Sequence, residues 1–272
     1  MVSAKLRSDV VGLVREAGRA TMTYYDAPES AGVREKADQS PVTLADEVAH
    51  GILVEGLRRL DPSTPVVSEE AAAAGHIPAV GGTFFLVDPL DGTKPFIRRE
   101  PQFTINIALI EDGNPVFGLV YAPALEDFYV TVGPGQAAAA RLPPSAEACS
   151  LAACGLAPVR TRVPDPNALG ALVSQIHLDK ATQRFLDRYP VVERRAVSSS
   201  LKFGLMARGE ADIYPRAGPT SEWDTAAGHA VLAAAGGTVT AFDGGPLLYG
   251  KPGFRNTGFV AWGRTPLPAP RI

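Results

Sequence analysis

The stretch "VDPLDGTKPFI", Val87 to Ile97, sets two aspartates three residues apart, Asp88 and Asp91, after an apolar run and directly before Gly92-Thr93. Asp-Gly is an ordinary turn dipeptide, so the pair gains meaning from the other acids. Glu69 and Glu70 close the strand-like "PVVSEE", Asp46 falls in the first turn of a helix, and Asp224 follows Trp223 at a helix start. Singly, each has a bland reading as a cap, a first-turn charge or a solvated strand end. Together they are strand ends and helix starts, which converge on a crevice when they lie on one side of a sheet. Ligands that are all oxygen, with no His or Cys nearby, suit a hard cation such as Mg²⁺. Crowded carboxylates take up protons unless cations lie between them. Two or three cations per site explain why the acids are so close.

The rest of the chain describes a water-soluble globular protein. Of 272 residues, 46% are apolar and 20% charged, and the net charge is −3. That balance argues against general nucleic-acid binding, which needs a basic surplus, but leaves room for a local basic pocket facing a small anion. Cys149 and Cys154 sit in a Pro/Ala-rich connection and form neither a disulfide framework nor a zinc pair. The N-terminus carries Lys5, Arg7 and Asp9 and lacks an apolar core of the signal-peptide kind. No apolar run is long enough for a membrane span. The expected compartment is the reducing cytoplasm, with peripheral attachment to the inner membrane compatible with it. A homodimer is equally compatible.

Apolar spacing predicts helices over residues 3 to about 25 and from Thr43 to Asp61-Pro62. "TFFLVD" reads as a buried strand, 71–82 as a loop, and "FTINIALI-EDGN-PVFGLVYAP" as a hairpin. "FYVTV" is a further strand. The Pro/Ala-rich stretch 142–168 marks a join. It divides the chain into an N-terminal half, 1–155, and a C-terminal half, 156–272, in which strands and helices alternate up to the helix "DTAAGHAVLAAAG". Hairpins and helices in both halves predict a layered α+β fold.

"DPLDGT" (Asp88–Thr93), preceded by "SEE" (Ser68–Glu70) and followed by "WDTAAGHAVLAAAGG" (Trp223–Gly237), resembles the lithium-sensitive, Mg-dependent phosphatases. That family includes inositol monophosphatases, fructose-1,6-bisphosphatases and 3′(2′),5′-bisphosphate nucleotidases. The resemblance runs from the first helix to about Gly263. "KADQSPVTLAD", "SSSLKF" and "ADIYPRAGPTSEWDTAAGHAV" are most similar to its bacterial bisphosphate nucleotidase branch. Lys94 after the Asp-Gly-Thr agrees with that branch, while Pro95 replaces its usual Glu and Ser198 its usual Gly.

The resemblance implies an α/β/α/β/α sandwich. It also implies that Glu69, Asp88 and the Leu90 carbonyl hold a first Mg²⁺, and that Asp88, Asp91 and Asp224 hold a second. Glu69 contributes to a weaker third. Asp46 and Thr93 form the pair that orients and deprotonates water, so Asp46, Thr93 and Glu69 are the implied catalytic groups. Gly92 and Thr93 open a helix whose N–H groups can receive phosphate. Lys202 and Arg216 are candidates for a second phosphate, with Ser199 and His177 as weaker ones; the plain alternative for each is a solvated surface or loop residue. The implied activity is removal of the 3′-phosphate from 3′-phosphoadenosine 5′-phosphate, or from its 5′-phosphosulfate, in sulfur metabolism, with a small phosphorylated nucleotide as partner. The rival readings are an inositol or other sugar-phosphate monoesterase and a catalytically silent nucleotide-binding protein.

Overall fold

The computed structural model describes residues 3–36, 40–145, 151–176 and 178–268. His177 and Cys149 lie outside the described residues.

Helix α1 (Ala4–Asp26) begins where the Ser3 hydroxyl accepts the Leu6 N–H at 3.0 Å. It buries Val10, Val11, Val14 and Ala17 against α2 (Leu44–Leu60), whose inward stripe includes Ala49, Leu53 and Leu57. Asp46 and Glu47 in the first turn of α2, and Arg58 and Arg59 in its last, complement the helix dipole.

A seven-stranded sheet runs in chain order: β1 (Val66–Ser68), β2 (Thr83–Asp91), β3 (Thr104–Glu111), β4 (Asn114–Ala122), β5 (Asp127–Gly133), β6 (Gln136–Arg141) and β7 (Ala157–Val159). Only β1 and β2 are parallel; the other pairs are antiparallel. Both faces of this sheet are covered, which is why β2 is apolar along its length. Phe85 and Val87 join the core beneath α1 and α2, while Phe84 and Leu86 join the core on the opposite face.

The second sheet has five strands: β8 (Leu169–Ser174), β9 (Val191–Val197), β10 (Ile213–Arg216), β11 (Thr238–Ala241) and β12 (Phe259–Trp262). Their spatial order is β9-β8-β10-β12-β11. Between the sheets lie α6 (Leu201–Ala207) and α7 (Ala226–Ala234), in one core with Ala108 and Val120 of the first sheet and Leu172 and Phe259 of the second. Helix α5 (Lys180–Leu186) covers the outer face of the second sheet through Leu186, in a third core with Ile213 and Trp262. The layers are therefore α/β/α/β/α. Helix α7 approaches β4 so closely that a Cβ on Gly118 would sit 2.2 Å from the Ala227 carbonyl oxygen.

Two local expectations change. Glu69 and Glu70 do not end a strand: they open a short helix, α3 (Glu69–Ala73), so the loop read over 71–82 begins helical. The Ser68 hydroxyl accepts the Ala71 N–H at 3.3 Å, and the alanines that follow favour the helix. "QAAAAR" is strand β6, imposed by pairing with β5 against the helical preference of alanine. Asp224 precedes α7 by two residues instead of starting it. Within the Pro/Ala-rich stretch 142–168, β7 pairs with β6 and extends the first sheet.

Candidate active site

A cleft of about 390 Å³ opens where the first sheet, α4 (Thr93–Ile97), the start of α6 and the loop before α7 meet. The pair Asp88 and Asp91 enters it through a break in β2. Residues three apart on a regular strand point to opposite faces. Here Asp88 pairs with Asn106 and Asp91 with Thr104, so three steps on β2 span two on β3. The extra residue is a β-bulge, and it returns Asp91 to the face of Asp88. Pro89, which lacks an N–H, is tolerated inside a central strand at such a break. Asp88 Oδ1 accepts the Leu90 N–H at 3.1 Å, and Leu90 itself is buried at the cleft floor.

Gly92 follows with φ 98°, and a Cβ there would lie 3.3 Å from the Gln102 carbonyl oxygen, so glycine is required. The chain then turns into α4 with Thr93 facing Asp46. Thr93 Oγ1 donates to Asp46 Oδ1 at 3.2 Å and lies 3.4 Å from the Leu90 carbonyl oxygen. The other Asp46 oxygen accepts the Thr43 N–H at 2.7 Å and the Thr43 hydroxyl at 2.6 Å. Burial raises Asp46 to about 6, although the bonds from Thr43 and the charge of Lys36 oppose the rise.

Carboxylate oxygens of Glu69, Asp88 and Asp224 all lie within 4.8 Å of one another. Loss of water, together with the charges of Glu69, Asp91 and Asp224, raises Asp88 well above the carboxylate range. Asp224 is raised likewise, by desolvation first and then by Asp91 and Glu69. Asp91 is raised by burial despite the charge of Lys202 and its bonds from Ser200. An all-oxygen set this crowded fits a hard divalent cation, which would relieve the repulsion.

Lys36 was not anticipated. Its ammonium bridges Glu69 Oε1 and Glu70 Oε1, both at 2.7 Å. Burial disfavours its charge, but the two carboxylates outweigh that and raise it. Glu70 is raised to about 7, by burial first. Ser200 was also missed: its N–H and hydroxyl reach Asp91 Oδ2 at 2.6 and 2.9 Å. Both residues lie inside motifs that the sequence reading had singled out, yet neither bears the charge or spacing of a ligand. Pairing them with acids far along the chain requires the fold.

Of the residues expected to meet a second phosphate, Lys202, Arg216 and Ser199 line the cleft. Lys202 is buried, and its ammonium donates to the carbonyls of Val197 at 3.0 Å and Ser199 at 2.6 Å. Desolvation lowers it to about 7. Arg216 is half-buried and donates from Nη2 to the Pro219 carbonyl at 3.3 Å. Ser199 takes a left-handed φ of 57°. Ser198 does not: its N–H donates to Gln102 at 2.9 Å and its hydroxyl to Gln175 at 3.0 Å, so serine has a use there. Pro95 is buried in α4, where its ring fits a first helical turn. Lys94 and Arg255 add two further exposed cations to the rim.

Residues 4–263 match the model of the inositol monophosphatase family, and the chain belongs to that family. It is 42% identical over 251 residues to the 3′(2′),5′-bisphosphate nucleotidase CysQ of Escherichia coli (strain K12), covering 92% of this chain and 96% of that one. The nucleotidase CysQ of Haemophilus influenzae is 31% identical over 247 residues, covering 90% and 88%. The crystal structure of CysQ from Bacteroides thetaiotaomicron superposes with a TM-score of 0.78 at 34% identity, covering 95% of this chain and 97% of that one. Among the described residues, no helix is long and apolar enough to cross a membrane.

Proposed function

We propose that the protein is a Mg²⁺-dependent 3′(2′),5′-bisphosphate nucleotidase that hydrolyses 3′-phosphoadenosine 5′-phosphate to AMP and phosphate in sulfur metabolism. The observation that carries this reading is the meeting, in one cleft, of the Glu69, Asp88 and Asp224 cluster with the Thr93–Asp46 hydrogen bond. Its likeness to CysQ nucleotidases over nine-tenths of the chain supports the choice of substrate.

Glu69, Asp88 and the Leu90 carbonyl would hold one Mg²⁺; Asp88, Asp91 and Asp224 a second; Glu69 would share in a weaker third. When bound, Mg²⁺ supplies the positive charge that neutralises the phosphate and acidifies water. Asp46 accepts a proton through Thr93: the hydroxyl gives its proton to Asp46 Oδ1 and takes one from the attacking water. An acceptor near pH 6 is matched to work at neutral pH. The water oxygen bonds to phosphorus, the bond to O3′ breaks, and the departing oxygen takes a proton from solvent water, leaving a 3′-hydroxyl. Gly92 and Thr93 face the phosphate that leaves. Arg216 and Lys202, with Ser199, face the one that stays, where the guanidinium fork can bond two oxygens.

Phosphate release is measured from 3′-phosphoadenosine 5′-phosphate and from inositol 1-phosphate, with and without Mg²⁺. Preference for the nucleotide and no turnover without the cation are expected. Preference for inositol 1-phosphate would replace this reading with the sugar-phosphate one, and no release from either would leave a binding protein.

A further inference from the structure

Asp91 ends β2 of the first sheet and Asp224 lies in the loop before α7, and one residue spans the gap between them. Ser200 stands just before α6 and is 2% exposed. Its N–H and its hydroxyl both reach Asp91 Oδ2, at 2.6 and 2.9 Å. The hydroxyl also lies 2.5 Å from the Asp224 backbone carbonyl. Its remaining direction is taken by Asn106, 1% exposed, whose Nδ2 donates to the Ser200 oxygen at 3.0 Å.

A hydroxyl has one proton and two acceptor sites. With Asn106 donating to the oxygen, the proton is shared between Asp91 and the Asp224 carbonyl. Asp91 Oδ2 is fully occupied from this side, which leaves Oδ1 as the oxygen free to face a cation. The Asp224 side chain is fixed separately, through Oδ2, by the Ser221 N–H at 2.8 Å. Ser200 therefore ties the Asp91 carboxylate to the backbone of Asp224 and so sets the spacing of the two residues.

We infer that Ser200 is a positioning residue for the cation shared by Asp91 and Asp224, its hydroxyl holding the two ligands at binding distance and Asn106 holding the hydroxyl. The inference rests on the reading of the acidic cluster as a metal centre. Groups that orient the ligands of a metal typically govern affinity by about ten- to a hundred-fold.

The test is calorimetric titration of the purified, metal-stripped protein with Mg²⁺ and with Mn²⁺, alongside the melting temperature with and without the cation. Ser200→Ala should weaken cation binding about ten- to a hundred-fold and shrink the rise in melting temperature that the cation produces. Ser200→Thr, which keeps the hydroxyl, should recover most of both. A role confined to packing would lower the melting temperature equally with and without the cation and leave affinity untouched, which would overturn the inference. Equal weakening by Ser200→Ala and Ser200→Thr would overturn it too. Should Ser200→Ala not fold, Asn106→Ser carries the same comparison, and unchanged affinity there counts against the inference. Absence of cation binding by the wild-type protein would instead remove the metal-centre reading, a distinguishable result.

Discussion

Thr93 Oγ1 lies 3.2 Å from Asp46 Oδ1, while Thr43 occupies the opposite oxygen of the same carboxylate through its N–H and its hydroxyl. Asp46 is thus fixed in orientation, with one oxygen left to take a proton from Thr93. Asp46→Asn preserves the shape but cannot accept that proton. The expected outcome is a loss of roughly 10²–10⁴ in kcat with little change in KM. Steady-state kinetics on 3′-phosphoadenosine 5′-phosphate decides it, and near-normal kcat would remove Asp46 from the proton path.

Asp88 and Asp224 repel their neighbours in the absence of cations, so replacing either acid has opposite effects on stability and on activity. Asp88→Asn should cost several kcal/mol of charge stabilisation, or about a hundred-fold or more in kcat. The same variant, stripped of metal at neutral pH, should be about 1–2 kcal/mol more stable than the wild type. Denaturant melts of both metal-free proteins test this; a less stable variant would mean that Asp88 is not strained by its neighbours.

The acids of the site also dictate how stability varies with pH. Asp46 is raised to about 6 and Glu70 to about 7, and Asp88, Asp91 and Asp224 are raised as well. The folded protein therefore holds protons that the unfolded chain has already released. Stability from these groups is fully present below the ordinary carboxylate range and is lost as pH rises through 6 to 7. His229, lowered to about 4, and His50, also lowered, act in the other direction below the usual histidine range, but are outnumbered. Metal-free protein should melt lower at pH 7 than at pH 5. Mg²⁺ should raise the melting temperature far more at pH 7, where the acids are free to bind it. Equal Mg²⁺ effects at the two pH values would contradict the assignment.

Arg216 and Lys202 share the wall of the cleft but not its solvent. The ammonium of Lys202 is committed to two carbonyls, so Arg216 is expected to carry more of the discrimination. Arg216→Ala should lose about 1.5–3 kcal/mol, ten- to a hundred-fold in kcat/KM, on 3′-phosphoadenosine 5′-phosphate. The loss on adenosine 3′-phosphate should be much smaller. Equal losses on the two substrates would mean that Arg216 does not read the 5′-phosphate.

Gly118 is the point where α7 rests on the first sheet. Gly118→Ala places a methyl group against the Ala227 backbone, which cannot step aside as a side chain can. Such overpacking costs about 1–3 kcal/mol, and because Asp224 lies just before α7, cation affinity should fall with it. An unchanged denaturation midpoint would show that α7 has room to shift.

Much of this was legible in the sequence, for physical reasons that differ from element to element. The spacing of Val10, Val14 and Ala17 announces α1 because a helix must bury one stripe. Asp88 and Asp91 stood out as acids after an apolar run, but the sequence could not say which way they point, since that depends on the two-for-three pairing with Asn106 and Thr104. Glu69 and Glu70 were found, though placed at the end of a strand, because the capping bond from Ser68 is a three-dimensional fact. Lys36, Ser200 and Asn106 escaped altogether. Their importance lies in partners tens of residues away, and no local pattern marks a hydroxyl that will join a strand end to the loop before α7.

The bulge in β2 and the loop before α7 contribute to one cleft from separate layers, which constrains when the cleft can exist. Asp88 belongs to the first sheet and Glu69 to α3 directly after its first strand, but Asp224 lies in the loop that leads into α7, in the layer between the sheets. In the second sheet β12 pairs with both β10 and β11 and ends at Trp262. A chain still being synthesised can form the first sheet from local hairpins early, whereas contacts this distant in sequence are made late. The three-carboxylate cluster is completed only when Asp224 joins Glu69 and Asp88 from far along the chain, so it forms with the tertiary fold and not before it.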